Sequence, residues 1–229
     1  MRALIVLGGD PPSAALLRRC AQEADLTIAA DKGLEAFDAA GVLPDLLLGD
    51  MDSVDAGTLA RREGSTEMER LPCEKDDTDG GHAVEVALAR GAAQITILGA
   101  LGGRMDHALA NLMLLRRAYE GGAFAQILDE RVRIVRIDGS IALHGAKGDT
   151  FSLIPIGEAH GVTLTGCYYH SQEALSFDFV HPLGISNVVT QDEAVITVQE
   201  GDLLLKHRLD GHLRRLPSPL RALIRTVAI

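Results

Sequence analysis

Two short acidic runs and one basic loop hold most of the residues in this 229-residue chain that could do chemistry. In Gly49-Asp50-Met51-Asp52-Ser53 the carboxylates stand two residues apart, so in extended backbone both point the same way. Like charges held that close repel, and a divalent cation is the usual remedy. Mg²⁺ takes hard oxygen ligands, commonly one or two carboxylates together with substrate phosphates. Asp52, Ser53 and Asp50 are equally good turn and cap formers, so a plain helix start is the competing reading. Lys75-Asp76-Asp77-Thr78-Asp79 places three acids, a cation and a hydroxyl ahead of a helix expected to begin near Gly80. A helix start offers free N–H groups to phosphate, Asp79 offers a further metal carboxylate, and Lys75 offsets phosphate charge. An acid-rich helix start favoured by the macrodipole is the alternative here. In Leu101-Gly102-Gly103-Arg104-Met105-Asp106-His107 two glycines let backbone approach a ligand closely, and Arg104 brings a planar fork suited to phosphate. Asp106 can hold that Arg, a metal-bound water or a substrate hydroxyl. Asn111 lies one helical turn after His107 and can face the same way. Gly8-Gly9-Asp10-Pro11 lacks the full glycine-rich phosphate patterns and reads as a tight turn.

These residues become one site only if the chain gathers them. Apolar runs at 3–7, 26–30, 45–48, 67–71, 95–98 and 124–128 alternate with helix-spaced patterns at 14–24, 34–40, 56–63, 83–89 and 107–119. Ser13 and Ser53 stand at N-cap positions, and Gly41, Gly64, Gly91 and Gly121 at helix ends. Such alternation predicts an α/β domain, a mainly parallel sheet with flanking helices. Asp31 then ends the second strand, Asp50 and Asp52 the third, while Asp79 opens the helix after the fourth and Arg104 and Asp106 follow the fifth. Parallel strands bring all of these loops to one edge, where ligands bind in open sheets. From residue 131 the texture changes to short strands (132–137, 141–144, 150–154, 162–165, 175–179, 194–198 and 203–205) turned by Gly139, Gly145, Gly148, Gly157 and Gly201. That pattern predicts a C-terminal all-β sandwich, jelly-roll-like, giving domains of 1–129 and 130–229. The Arg-rich extension 206–229 fits a further strand or an amphipathic helix, with Pro217 and Pro219 interrupting any single helix.

With 32 acidic against 22 basic residues and a formal charge of −10, the surface repels phosphate polymers and anionic membranes. Nucleic acid and membrane are therefore not expected partners, whereas a small anion can bind where a metal and a few cations reverse the local field. Five apolar residues after Met1-Arg2 are too few for a signal peptide or a membrane span. Cys20, Cys73 and Cys167 are odd in number, widely spaced and without zinc-ligand patterns, as expected of free thiols in a reducing cytoplasm.

The ordered set Asp31-Lys32-Gly33, Pro44-Asp45, Gly49-Asp50-Met51-Asp52-Ser53, Lys75-Asp76-Asp77-Thr78-Asp79 and Gly102-Gly103-Arg104-Met105-Asp106-His107 with Asn111 resembles the thiamine pyrophosphokinase family. Phe151-Ser152-Leu153-Ile154-Pro155, Thr163-Leu164-Thr165-Gly166-Cys167-Tyr168-Tyr169 and Gly184-Ile185-Ser186-Asn187 extend the resemblance to roughly residue 205. It implies transfer of diphosphate from ATP to the hydroxyl of thiamine, giving thiamine diphosphate and AMP, with Mg²⁺ as cofactor. It also implies a homodimer whose thiamine pocket lies at the subunit interface, between domain types of different subunits. The family's metal carboxylates fall on Asp50, Asp52 and Asp79, and the Arg and Asp of its Gly-Arg-x-Asp motif on Arg104 and Asp106, completing the expected catalytic set. Asp31, Lys32, Gly33, Lys75, Thr78, Gly102, Gly103 and Arg104 form the nucleotide side. Asp106, Ser186 and Asn187 form the thiamine side. Met51 replaces the usual Phe between the paired aspartates, Tyr169-His170 stands where Pro-Leu is common, and the chain runs longer than the family's usual ending. A related pyrophosphokinase for a pterin-type alcohol would keep the first-domain motifs and change the second domain. A nucleotide sensor without catalysis would have no need of every acid.

Overall fold

The computed structural model describes residues 1–52, 54–62, 64–72, 76–144, 146–181 and 183–209. Ser53, Cys73, Lys75, Gly145 and the part of the C-terminal extension from 210 to 229 lie outside the described residues. The chain divides into two compact units between Glu130 and Arg131.

Unit 1 alternates strands and helices: β1 (Arg2–Val6), α1 (Ala14–Glu23), β2 (Leu26–Ala30), α2 (Gly33–Ala40), β3 (Leu46–Gly49), α3 (Ala56–Arg62), β4 (Glu67–Arg70), α4 (Asp79–Ala89), β5 (Gln94–Leu98), α5 (Met105–Glu120) and β6 (Phe124–Leu128). All neighbouring strands pair in parallel, in the order β4-β3-β2-β1-β5-β6. The order reverses at β1, where successive crossovers change side and leave a crevice at the carboxyl ends of the strands. Every residue of β2 and β3 is buried, so both faces of the sheet centre are covered, as its continuous apolar runs require. Phe37, Leu4, Ile5, Leu17, Ile28, Leu34, Leu46, Leu47, Leu48, Ile95 and Ile97 fill this core. Helix starts and stops follow local chemistry. The Ser13 hydroxyl accepts the Leu16 N–H at 3.2 Å, and the Thr78 hydroxyl accepts the Gly81 N–H at 3.0 Å. Gly41 closes α2 in the left-handed conformation.

Unit 2 is all β: β7 (Val132–Arg136), β8 (Ser140–His144), β9 (Thr150–Thr165), β10 (Ser171–Asp178), β11 (Asn187–Val188), β12 (Glu193–Thr197) and β13 (Glu200–Arg208). The pairings recorded among them are antiparallel. One core built on Val135, Ile141, Phe151, Leu153, Val162, Leu164, Ile196, Leu203 and Leu205 holds the strands together.

Two expectations are corrected here. The strands expected at 150–154 and 162–165 are one 16-residue strand, β9. Gly157, read as a turn, takes φ of 114° and Gly161 φ of 66°, and both bend the strand without ending it. β9 can therefore pair with β10, β11, β12 and β13 along its length. The last strand runs from Glu200 to Arg208, so the first residues of the extension continue β13. Among the described residues no helix is long and apolar enough to cross a membrane.

Candidate active site

The loops leaving β1, β2, β3 and β5 and the start of α4 enclose a cavity of about 510 Å³ lined by Gly8, Gly9, Asp31, Lys32, Asp50, Asp77, Thr78, Asp79, Gly102, Gly103, Arg104, His107 and Asn111, among others. This is the edge at which the sequence placed its acids. Carboxylate oxygens of Asp31, Asp50 and Asp52 all lie within 4.8 Å of one another. Asp52 itself is exposed at the rim, while Asp31 and Asp50 line the cavity.

Backbone geometry builds this cluster. β2 and β3 are neighbours with Ala30 opposite Leu48, so Asp31 leaves the sheet beside Gly49 and Asp50. Asp31 and Met51 both take positive φ, 51° and 64°, in the sparsely populated left-handed region. The Met51 N–H donates to Asp31 Oδ1 at 3.0 Å, and the Asp52 N–H donates to Asp50 Oδ1 at 3.1 Å. A Cβ at position 49 would stand 2.7 Å from Asp31 Oδ1, so glycine leaves the space the carboxylate occupies. Buried Met51 anchors the loop from below. Hydrogen bonding to Asp50, then the charge of Asp50 and those of Asp31 and Asp79, raise the Asp52 carboxyl above the usual carboxylate range. A donor set made only of carboxylate oxygens, crowded enough to resist ionisation, fits a hard divalent cation such as Mg²⁺. The wider lining repeats that imbalance, with Asp31, Asp50, Asp77 and Asp79 facing Lys32 and Arg104.

Asp79, at the first position of α4, is delivered by a bonded turn. Asp77 Oδ1 accepts the Thr78 N–H at 2.8 Å, and Asp77 Oδ2 accepts from Arg117 at 2.6 Å. On the β5 side, Gly102 has φ of 78°, and a side chain there would collide with the Asp10 carboxylate. The Asn111 amide donates to the Ala100 carbonyl at 2.9 Å and so ties α5 to this loop. Arg104 lines the cavity and is paired with exposed Asp106, Nη2 to Oδ2 at 2.6 Å and Nε to Oδ1 at 3.2 Å. That pairing holds the Asp106 carboxyl below its usual range.

The structure thus brings Asp31, Lys32, Asp50, Thr78, Asp79, Gly102, Gly103 and Arg104 around one cavity, with Asp52 at its rim. Gly33 is buried behind it, where a Cβ would strike the Val6 carbonyl. Lys75 lies outside the described residues. Ser186 and Asn187 belong to unit 2. Ser186 is exposed at φ 60° and donates its N–H to the Ser152 hydroxyl at 3.1 Å. Asn187 is buried, and its amide accepts from Tyr169 N–H at 3.0 Å and donates to the Tyr169 carbonyl at 2.9 Å. It clamps the Tyr168–Tyr169 turn, leaving both rings about two-thirds exposed. Sequence reasoning gave Asp77 no role of its own and read the Gly8-Gly9 segment only as a tight turn, yet both line the cavity. The order of strands, which puts β1 at the centre, is what moves that turn into the cavity.

Comparison with known proteins agrees with this layout. Residues 17–126 match the thiamin pyrophosphokinase catalytic domain, and residues 134–204 match the vitamin B1 binding domain of the same enzymes. Thiamine pyrophosphokinase of Bacillus subtilis is 29% identical over 210 residues, spanning 90% of this chain and 98% of that protein. Its crystal structure superposes with a TM-score of 0.77 at 25% identity, over 91% of this chain and 99% of that one. Thiamin pyrophosphokinase from Candida albicans shares the fold at 13% identity, with a TM-score of 0.76 over 91% of this chain and 88% of that one. With both domains matched in order and nearly the whole length covered, the chain belongs to the thiamin pyrophosphokinase family of diphosphotransferases.

Proposed function

We propose that this protein transfers the diphosphate of ATP to the hydroxyl of thiamine, releasing AMP. The observation that carries the reading is the Asp31, Asp50 and Asp52 cluster at the mouth of a cavity that also presents Asp79, Lys32 and Arg104. Transfer of this kind depends on positioning and charge neutralisation more than on covalent chemistry by the protein. Asp50, Asp52 and Asp79 would hold Mg²⁺, with Asp31 beside them, and the metal would supply charge neutralisation for the phosphates. Lys32 and Arg104 steady the phosphate oxygens, Thr78 and the N–H groups opening α4 receive a further phosphate, and Gly102 and Gly103 let the chain approach the nucleotide. The thiamine hydroxyl attacks the β-phosphorus in line, the α–β bridging oxygen leaves with AMP, and the hydroxyl proton passes to solvent. Asp106 accepts the hydroxyl's hydrogen bond. Its lowered proton affinity suits orientation better than storage of the proton.

The working unit is a homodimer with thiamine held at the subunit interface by the second unit, around Ser186 and the turn that Asn187 clamps. The support is exposed apolar surface on each unit. Met105, Leu109 and Met113 recur every four residues on α5, and Phe179, Val180, Leu183 and Ile185 cluster in sequence after β10. We further assign unit 1 as the nucleotide and metal domain and unit 2 as the thiamine domain, a jelly-roll-like sandwich, in a cytoplasmic enzyme. A substrate panel tests the assignment. Thiamine, and not a hydroxymethyl pterin, should drive AMP release from Mg·ATP; equal turnover of both would move the function to a broader pyrophosphokinase.

A further inference from the structure

We propose that Arg117 is a positioning residue for the metal side of this reaction, an inference that rests on the function proposed above. Arg117 lies on α5, beyond Asn111 and outside every site motif, and it bridges two acids. Its Nη1 donates to Asp77 Oδ2 at 2.6 Å and its Nε to Glu85 Oε1 at 2.6 Å. The first contact reaches the cavity through a short chain of bonds. Asp77 Oδ1 accepts the Thr78 N–H at 2.8 Å, the Thr78 hydroxyl accepts the Gly81 N–H at 3.0 Å, and Asp79 lies between them. With Oδ2 held by Arg117, Asp77 cannot rotate away from the turn, and the Asp79 carboxylate is presented to the cavity in one orientation. The guanidinium also offsets charge on an acid that faces Asp31, Asp50 and Asp79 across the same space. The second contact, to Glu85 on α4, ties the two helices and leaves the cavity untouched.

Gly81 shows that space is reserved for this pair. It is helical and buried, yet a Cβ there would collide with Asp77 Oδ1 and with Arg117 Nη1. Those are the mobile ends of two side chains, so an alanine would displace the pair and leave the helix in place. Ion pairs this exposed contribute little to folding, so loss of the contact should show in the site before it shows in stability.

The test compares Arg117→Ala, Arg117→Lys, Gly81→Ala and Glu85→Gln with the parent chain, reading Mg²⁺ binding by calorimetry without nucleotide, steady-state kinetics against Mg²⁺, and the melting temperature. Arg117→Ala and Gly81→Ala should each weaken Mg²⁺ binding and raise its apparent KM by about 10–100-fold, the order seen for partners that orient metal ligands. kcat at saturating Mg²⁺ should fall less than threefold. Arg117→Lys should recover part of the loss, and Glu85→Gln should bind Mg²⁺ like the parent. Equal losses in Arg117→Ala and Glu85→Gln, tracking a lowered melting temperature, would reduce Arg117 to a helix clamp and overturn the proposal. So would Mg²⁺ binding unchanged in Arg117→Ala, or absent from the parent. Because calorimetry needs no turnover, a parent chain that binds Mg²⁺ and transfers nothing would refute the proposed function while still deciding the role of Arg117.

Discussion

The Asp31 carboxylate fixes the backbone of the next loop through Met51 N–H and stands within 4.8 Å of the Asp50 and Asp52 oxygens. Asn in its place keeps an oxygen for the Met51 bond, so Asp31→Asn removes charge and little else. We expect an activity loss of about 10–100-fold with an unchanged melting temperature, and for Asp50→Asn a loss of about 100-fold or more. Steady-state rates at fixed Mg·ATP, beside thermal melts, check both. Asp31 also marks a limit of sequence reading. Its motif was legible, but its place against the aspartate pair depends on β2 and β3 being neighbours, which no local pattern encodes. Cys20 makes a separate point. Burial pushes its thiol up to about 12 from an ordinary value of 9.0, with Glu23 adding to the shift. The folded state holds the proton more tightly than the unfolded state does. Its contribution to stability is therefore complete below pH 9 and is lost as pH rises from about 9 to about 12. Denaturant melts should show Cys20→Ala with a shallower alkaline decline, the difference approaching about 1.4 kcal/mol per pH unit at most.

Among the elements, the β-strand and helix alternation of unit 1 was legible because each buried strand is a short continuous apolar run and α1 and α4 open on hydroxyl caps while α2 closes on Gly41. The long β9 was not, since Gly157 and Gly161 look like turn residues and only the partner strands show that they bend a continuous ladder. Asn187 was legible as a site motif and illegible as a clamp, because its hydrogen bonds go to a turn 18 residues earlier. Close packing at the β2–β3 crossover, where α2 starts against β1, offers a test of how the site is supported. A Cβ at Gly33 would strike the backbone carbonyl of Val6, which cannot swing aside as a side chain can. Gly33→Ala should destabilise the chain by about 1–3 kcal/mol, as overpacking in a dense core does. It should also weaken nucleotide binding, since α2 must move away from the end of β1 and would carry Asp31 and Lys32 with it. Equilibrium unfolding with a nucleotide titration reads both, and a neutral result in each would mean that the crossover is looser than its geometry.

For the whole molecule, the proposed function makes Mg²⁺ the condition for a chain of net charge −10 to admit a polyphosphate to its acid-lined cavity. The exposed stripe on α5 and the apolar run after β10 are the surfaces a homodimer would cover. Leu109→Glu places a charge in that stripe, and sedimentation should show a shift toward monomer with loss of thiamine turnover; an unchanged dimer would locate the interface elsewhere. The central claim is that the bond broken in ATP lies between the α- and β-phosphates. Phosphorus NMR of the purified protein with ATP, Mg²⁺ and thiamine tests it most directly. AMP and thiamine diphosphate should grow in equal amounts with no ADP, whereas ADP with thiamine monophosphate, or ATP left unchanged, would contradict the account.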